Sequence, residues 1–265
     1  MKLLALLMLL PLPALAQTDL SAPSPADLPP GLASAELLPG WTTPEGHRMT
    51  ALRLQLEPGW KTYWRSPGDA GVPPRFDWSG SRNLGMVQLH WPRPEAIESG
   101  GERSLGYHDT LVLPIEIAPE VPGQPVTLQA EVDFGLCDSI CVPAQLHLLA
   151  PPPADSPDPR IQTALAQEPQ LAPDQPICTV EEIADGMRVT ARFDADAPEA
   201  AMELDDARIW VSQPELSRQD GQLVARSDFV SESGKPFPLD PAQLRMTLIA
   251  PDHALEYRGC RPEGS

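Results

Sequence analysis

Thr50, Leu52, Leu54 and Leu56 alternate with partly polar neighbours, and so do Leu111, Leu113, Ile115 and Ile117, and Val126, Leu128, Ala130 and Val132. A period of two turns each set toward one face of a β-strand and so toward a core. Between the runs stand Pro58-Gly59, Pro73-Pro74, Ser79-Gly80 and Pro122-Gly123. Such pairs make turns, because glycine reaches positive φ without strain and proline fixes its own φ. With 34 prolines and 18 glycines among 265 residues, long helices have little room. The pattern predicts an all-β chain with the spacing of a β-sandwich.

The composition shifts at Pro151-Pro152-Pro153 and stays Pro-rich to Pro159, which predicts a semi-rigid spacer holding two bodies apart. Within it, residues 160–167 form the one convincing short helix. Asp158 caps it, Pro159 suits its first turn, and Ile161, Leu165 and Ala166 share a side. Alternation then resumes at Met187, Val189, Ala191 and Phe193, at Ile209 and Val211, at Leu223 and Ala225, and at Leu244, Met246 and Leu248. The expected layout is a first sandwich over residues 32–150, a linker with its helix over 151–175, and a second, smaller sandwich over 176–265.

At the start, Lys2, the apolar run Leu3 to Leu12 and Ala14-Leu15-Ala16 read as a secretory signal peptide over residues 1–16, followed by a flexible leader over 17–31. That run is short for a membrane span, and no run of about 18 apolar residues follows, so the mature protein is expected in the periplasm, not embedded in the membrane. There are 37 acidic and 19 basic residues, a net charge of −18. Nucleic acid and anionic lipid, which call for the opposite sign, are not expected partners. No Ser-His-Asp arrangement, phosphate-binding loop or zinc-helix motif is present, which leaves hydrolase and nucleotide-binding functions without support.

Four cysteines in an exported chain point to disulfide chemistry or to metal binding. Cys137 and Cys141 fall between the Val126 to Val132 run and the Leu146 to Leu148 run, so the pair is expected to cap a hairpin. A disulfide across three residues is sterically possible if the loop folds back, but so small a ring constrains the unfolded chain little. Thiol-disulfide exchange, a structural staple and a metal site all remain open for this pair on spacing alone. Exchange needs two thiols that can reach each other and one open to attack. Cys178 opens the first strand of the second sandwich and Cys260 lies near the end of the chain, so a bond between them is expected to be structural.

Trp60, Tyr63, Trp64, Trp78 and Trp91 concentrate aromatics in the first sandwich. They can fill its core or form a partner surface, and Trp64 is the candidate for exposure near the cysteines. His47, His90, His108 and His147 could add nitrogen ligands to two thiolates, giving a copper or zinc site. His108, beside Tyr107, is the one singled out as a local base or ligand, and Trp64, Tyr107 and His108 together are the candidate partner surface.

Pro58-Gly59-Trp60-Lys61-Thr62-Tyr63-Trp64-Arg65-Ser66-Pro67-Gly68-Asp69-Ala70-Gly71, then Pro73-Pro74, Phe76-Asp77-Trp78, Trp91-Pro92, Gly106-Tyr107, Leu113-Pro114 and the segment from Cys137 to Pro143 together resemble the N-terminal periplasmic domain of DsbD-type thiol:disulfide interchange proteins. They resemble most the ScsB-like branch, which also has a Cys-x3-Cys pair. The resemblance spans roughly residues 32–150 and weakens through the second sandwich. It implies immunoglobulin-like sandwiches and a redox centre in which Cys141 forms the mixed disulfide and Cys137 resolves it, with no bound cofactor. It also implies a membrane electron carrier of the DsbD or CcdA type as donor and thioredoxin-like or cytochrome-maturation proteins as recipients. Complete proteins of this type continue into the carrier and a thioredoxin-like domain, so this chain is expected to act as a stand-alone form. The segment corresponding to the family's aromatic cap loop, Ile97 to Leu105, carries no aromatic residue, and Tyr107 is the nearest substitute. The alternative is an envelope copper-handling or interaction module in which the same cysteines are ligands or a staple.

Overall fold

The computed structural model describes residues 28–206 and 208–263; the expected signal peptide, and the expected leader up to residue 27, lie outside them. Along the first half run β1 (Leu32–Thr42), β2 (Arg48–Leu56), β3 (Lys61–Tyr63), β4 (Arg75–Asp77), β5 (Leu84–Leu89), β6 (Glu95–Ser99), β7 (Glu102–His108), β8 (Thr110–Pro119), β9 (Gln129–Cys137) and β10 (Cys141–Leu149). They pair into two sheets, one in the order β1-β2-β8-β5 and one in the order β10-β9-β3-β7-β6 with β4 alongside β9. The alternating residues pack between them: Leu52, Leu54, Leu113, Ile115 and Ile117 meet Leu128, Val132, Phe134, Leu136, Leu146 and Leu148. The expected Val126 to Val132 strand begins later and runs further. Thr127, held after Pro125, pairs with Arg82 instead, and β9 carries on to Cys137.

The helix forms at the expected place with the expected cap, but it ends at Leu165, and Ala164 is buried where Ala166 was expected, Ala166 being exposed. In α1 (Pro159–Leu165) the Asp158 side chain accepts from the Arg160 backbone N–H, and Ile161 and Ala164 are buried. Ile161 inserts among Leu38, Met49 and Ala51 of β1 and β2. Beyond it come β11 (Gln170–Leu171), β12 (Ile177–Ile183), β13 (Gly186–Phe193), β14 (Glu199–Leu204), β15 (Ile209–Val211), β16 (Glu215–Gln219), β17 (Gln222–Ser231), β18 (Leu244–Ile249), β19 (Ala254–Arg258) and β20 (Arg261–Pro262). These give a sheet β11-β19-β18-β14 and a sheet β15-β17-β13-β12-β20, with β16 also on β17. Met187, Val189, Ala191 and Phe193 face Met202, Leu244, Met246 and Tyr257 in a core of their own. The fold is therefore all-β, in two immunoglobulin-like sandwiches.

One expectation fails. The Pro-rich segment does not hold the sandwiches apart: Ala201, Ile249 and Ala254 of the second join the apolar cluster of the first. An extended Pro-rich stretch makes no internal backbone hydrogen bonds, which leaves its polar groups free for others. Arg48 donates to the Pro151 carbonyl, the Ala154 N–H donates to the Gly40 carbonyl at 2.8 Å, and the segment lies along β1 instead of projecting into solvent.

Candidate functional site: the Cys137–Cys141 hairpin

β9 and β10 form a hairpin whose last register pair is Cys137 with Cys141. The tip, Asp138-Ser139-Ile140, is closed by the Asp138 N–H donating to the Ile140 carbonyl at 3.1 Å. The two Cα atoms stand 4.1 Å apart and the sulfurs are bonded. Alternation along β9 sends Val132, Phe134 and Leu136 into the core and therefore Gly135 and Cys137 to the outer face of the sheet. Even there Cys137 has no exposed surface, whereas Cys141 is exposed. The pair thus has one sulfur open to solvent and one shielded.

Tyr63 does much of the shielding. Its hydroxyl lies 2.9 Å from Cys137 Sγ and 3.5 Å from Cys141 Sγ, and 3.4 Å from the Ala70 carbonyl oxygen. Neither the disulfide sulfurs nor the carbonyl carries a hydrogen, so the hydroxyl is the donor, and its one proton is shared between Cys137 Sγ, the nearest acceptor, and the Ala70 carbonyl. The ring is held between two glycines: a Cβ on Gly71 would come within 2.9 Å of it, and one on Gly135 within 3.0 Å. Burial, and secondly the negative charge of Glu102, push the phenol's pKa up, so Tyr63 stays protonated and able to donate. Lys61 pairs across the sheet with Cys137; its ammonium lies 5.8 Å from the centre of the Tyr63 ring and donates to Ser104 Oγ at 3.4 Å. Burial lowers the pKa of Lys61, partly offset by Glu102.

The other residues singled out from the sequence fare differently. Trp64 is fully buried and belongs to the core, so it offers no partner surface. It follows Tyr63 by one position, and neighbours on a strand face opposite ways. Tyr107 is also buried, donating its hydroxyl to the Pro92 carbonyl at 2.7 Å; it neither caps the cysteines nor meets a partner. His108 is partly exposed, with Glu95 at 3.4 Å. It pairs with Lys61, which itself pairs with Cys137. Two strand spacings, about 10 Å, then separate His108 from the disulfide, too far for a local base. The expected cap segment Ile97 to Leu105 is instead the β6–β7 hairpin, and the loop that packs on Tyr63 is the one after β3. Val72 in that loop, packed against Gly135, and Ile140, next in sequence to Cys141, are 57% and 65% exposed. Among the described residues no group of three or more His, Cys, Asp and Glu side chains is placed to hold a metal ion. Cys178 and Cys260 are bonded across 82 positions, both buried in the second core.

Residues 34–153 match the family model described as thiol:disulfide interchange protein DsbD, N-terminal. The first sandwich is similar to the DsbD N-terminal family along nearly its whole length. No curated protein matches the chain. Among solved structures, the N-terminal periplasmic domain of ScsB from Proteus mirabilis aligns with a TM-score of 0.60 at 22% identity, covering 87% of this chain and 92% of that one. The shared fold therefore reaches past the DsbD-type domain into the second sandwich. The Enterococcus faecalis MSCRAMM ACE aligns at 8% identity with a TM-score of 0.11, too low to bear on the fold. Thiol-disulfide interchange is the activity of the DsbD family, and the Cys-x3-Cys pair lies inside the matched region. Among the described residues no helix is long and apolar enough to cross a membrane.

Proposed function

We propose that this chain is a periplasmic relay of reducing equivalents, accepting them from a membrane electron carrier and passing them to thioredoxin-like or cytochrome-maturation proteins through Cys137 and Cys141. The observation that carries this reading is the asymmetry of the pair: Cys141 exposed, Cys137 buried under a hydroxyl that donates to its sulfur. In reduction, a partner thiolate attacks Cys141 Sγ in line with the disulfide. A new bond forms between partner and Cys141, the Cys137–Cys141 bond breaks, and its electron pair leaves on Cys137 as thiolate. Tyr63 donates to that thiolate, and hydrogen bonds to charged acceptors are the stronger kind. The partner's second thiolate then attacks its own bridging sulfur, freeing Cys141. The partner leaves as a disulfide, and this chain holds two thiols. Run backwards on an oxidised recipient, the same steps pass the electrons on.

In this reading residues 32–150 and 176–265 are two domains, 151–175 connects them, and the bond from Cys178 to Cys260 is a staple. Closing a loop of that length is worth up to about 4 to 5 kcal/mol in the chain-entropy picture.

Oxidised glutathione, added to the reduced protein, tests the assignment of roles. Cys137→Ser should accumulate a stable mixed disulfide at Cys141, since the resolving thiol is gone. Cys141→Ser should react far more slowly, because Cys137 is covered. If Cys141→Ser exchanges at the wild-type rate, the assignment is wrong. A reduction potential below roughly −300 mV would mark the pair as structural.

A further inference from the structure

Arg65 stands two residues beyond Tyr63, at the start of the loop that packs on it, and its side chain reaches out of the first sandwich into the second. Its guanidinium lies 4.2 Å from the centre of the Trp64 ring. Its Nε donates to Glu203 Oε1 at 3.0 Å, and its Nη2 donates to Glu203 Oε2 and to Glu256 Oε2, each at 3.1 Å. Glu203 lies on β14 and Glu256 on β19, and the side chains of Arg65, Glu203 and Glu256 are only 11%, 17% and 7% exposed. Four residues on, Asp69 accepts from the Gln213 backbone N–H at 3.0 Å. Thus the second sandwich grips the loop at both ends of the stretch that ends in Ala70 and Gly71. Those two residues meet the Tyr63 hydroxyl and ring.

We propose that the second sandwich is a positioning part of the redox centre, holding Tyr63 on the cysteine sulfurs through the clamp of Arg65 with Glu203 and Glu256 and the tether of Asp69 to Gln213. The inference rests on the exchange reading above. A largely buried ion network adds little net stability, because desolvation offsets attraction, but it fixes geometry. Geometry is what Tyr63 requires: its hydroxyl must stay within hydrogen-bond reach of Cys137 Sγ as charge develops there. Neither Arg65 nor Glu203 touches a sulfur, so both act through Tyr63. A second sandwich with no redox group of its own at the site thereby sets how readily the first sandwich's disulfide opens.

The full chain is tested by the rate at which dithiothreitol reduces the Cys137–Cys141 bond. Glu203→Gln should slow reduction by about tenfold, the scale of one hydrogen bond to a charged atom. Asp69→Ala, at an exposed position where folding is not at stake, should slow it by less. Arg93→Gln serves as the control, because Arg93 joins the sandwiches through a different segment by donating to the Ala250 carbonyl at 3.1 Å. It should stay within about twofold of wild type. Added to Tyr63→Phe, Glu203→Gln should cause no further slowing, since the group it positions is already gone. The clamp is refuted if Glu203→Gln and Asp69→Ala both reduce at the wild-type rate, or if the effects of Glu203→Gln and Tyr63→Phe multiply in full. A wild-type disulfide inert to dithiothreitol would instead remove the exchange reading, and this inference with it.

Discussion

Phenylalanine at position 63 would keep the ring between Gly71 and Gly135 and delete only the oxygen that lies 2.9 Å from Cys137 Sγ. The lost interaction is strongest where the sulfur is anionic, that is, after the disulfide has opened. A hydrogen bond to a charged group contributes about 1.5 to 3 kcal/mol. Tyr63→Phe should therefore slow reduction by dithiothreitol at least about tenfold and make the pair harder to reduce by about 30 mV or more, while thermal unfolding of the oxidised protein shifts little. An unchanged potential would show that the hydroxyl is only packed there. Because the phenol's pKa is raised by burial and by Glu102, its donor stays in place across the neutral range. Tyr63 belongs to the aromatic-rich motif, yet the sequence alone points to Trp64, its neighbour, as the aromatic beside the cysteines. A three-residue strand, β3, is too short for its alternation to be read, and a shift of one position exchanges the core face for the cysteine face.

At the scale of elements, the hairpin of β9 and β10 and helix α1 carry the most testable packing. The helix has seven residues, too few to persist alone in water, so its stability comes from docking. Ile161 is the side chain that docks, fully buried among Leu38, Met49 and Ala51. Ile161→Ala should cost about 2 to 4 kcal/mol, measured as a lower urea midpoint, and the connector should become a site of proteolytic cleavage before the sandwiches unfold. A loss below about 1 kcal/mol would mean that the site collapses around the smaller residue. The first strand shows the opposite relation between sequence and element. In β1, Leu37 and Leu38 are both buried, and the register slips between Leu32 and Ser34 and again between Leu38 and Trp41. Bulges insert an extra residue and break the period of two, so the strand has no clean alternation to find.

For the molecule as a whole, the connector is fastened by charge as well as by Ile161. His90 Nδ1 meets Glu168 Oε2 at 2.9 Å and His90 Nε2 meets Glu116 Oε2 at 3.2 Å, while His47 Nδ1 lies 2.6 Å from Glu116 Oε1. The hydrogen bond with Glu168, ahead of the other causes, raises the pKa of His90 above its ordinary 6.5. The stability it contributes is present in full below pH 6.5 and is lost as pH rises through the raised value. Glu116 is shifted the other way, first by His47, to below 4.5. Its contribution is present above pH 4.5 and is lost as pH falls through the lowered value. Stability measured by urea should therefore decline on the alkaline side of pH 6.5, and His90→Gln should flatten that decline while leaving the acid side, which Glu116 still shares with His47, largely in place. An identical alkaline decline in His90→Gln would assign it to other groups.

The all-β class, most strand positions, the helix with its Asp158 cap, and the nearness of Cys137 to Cys141 follow from the sequence because each depends on local periodicity, turn chemistry or spacing along the chain. Cys137 and Cys141 sit four positions apart, and no fold is needed to see that they can meet. Which sulfur is open could be expected from family resemblance, but its physical cause is tertiary: Tyr63, held in place by the loop after β3, lies on the Cys137 sulfur, while Cys141 stays in solvent. The same holds for the contact between the sandwiches. Arg65 and Glu203 are 138 positions apart, and nothing in either neighbourhood marks one as the partner of the other. Composition suggested a spacer between two separate bodies. Only the packing of Ala201, Ile249 and Ala254 on the first core brought the carboxylates of the second sandwich to Arg65, two residues beyond Tyr63, because long-range pairings are set by how surfaces fit once the sheets exist.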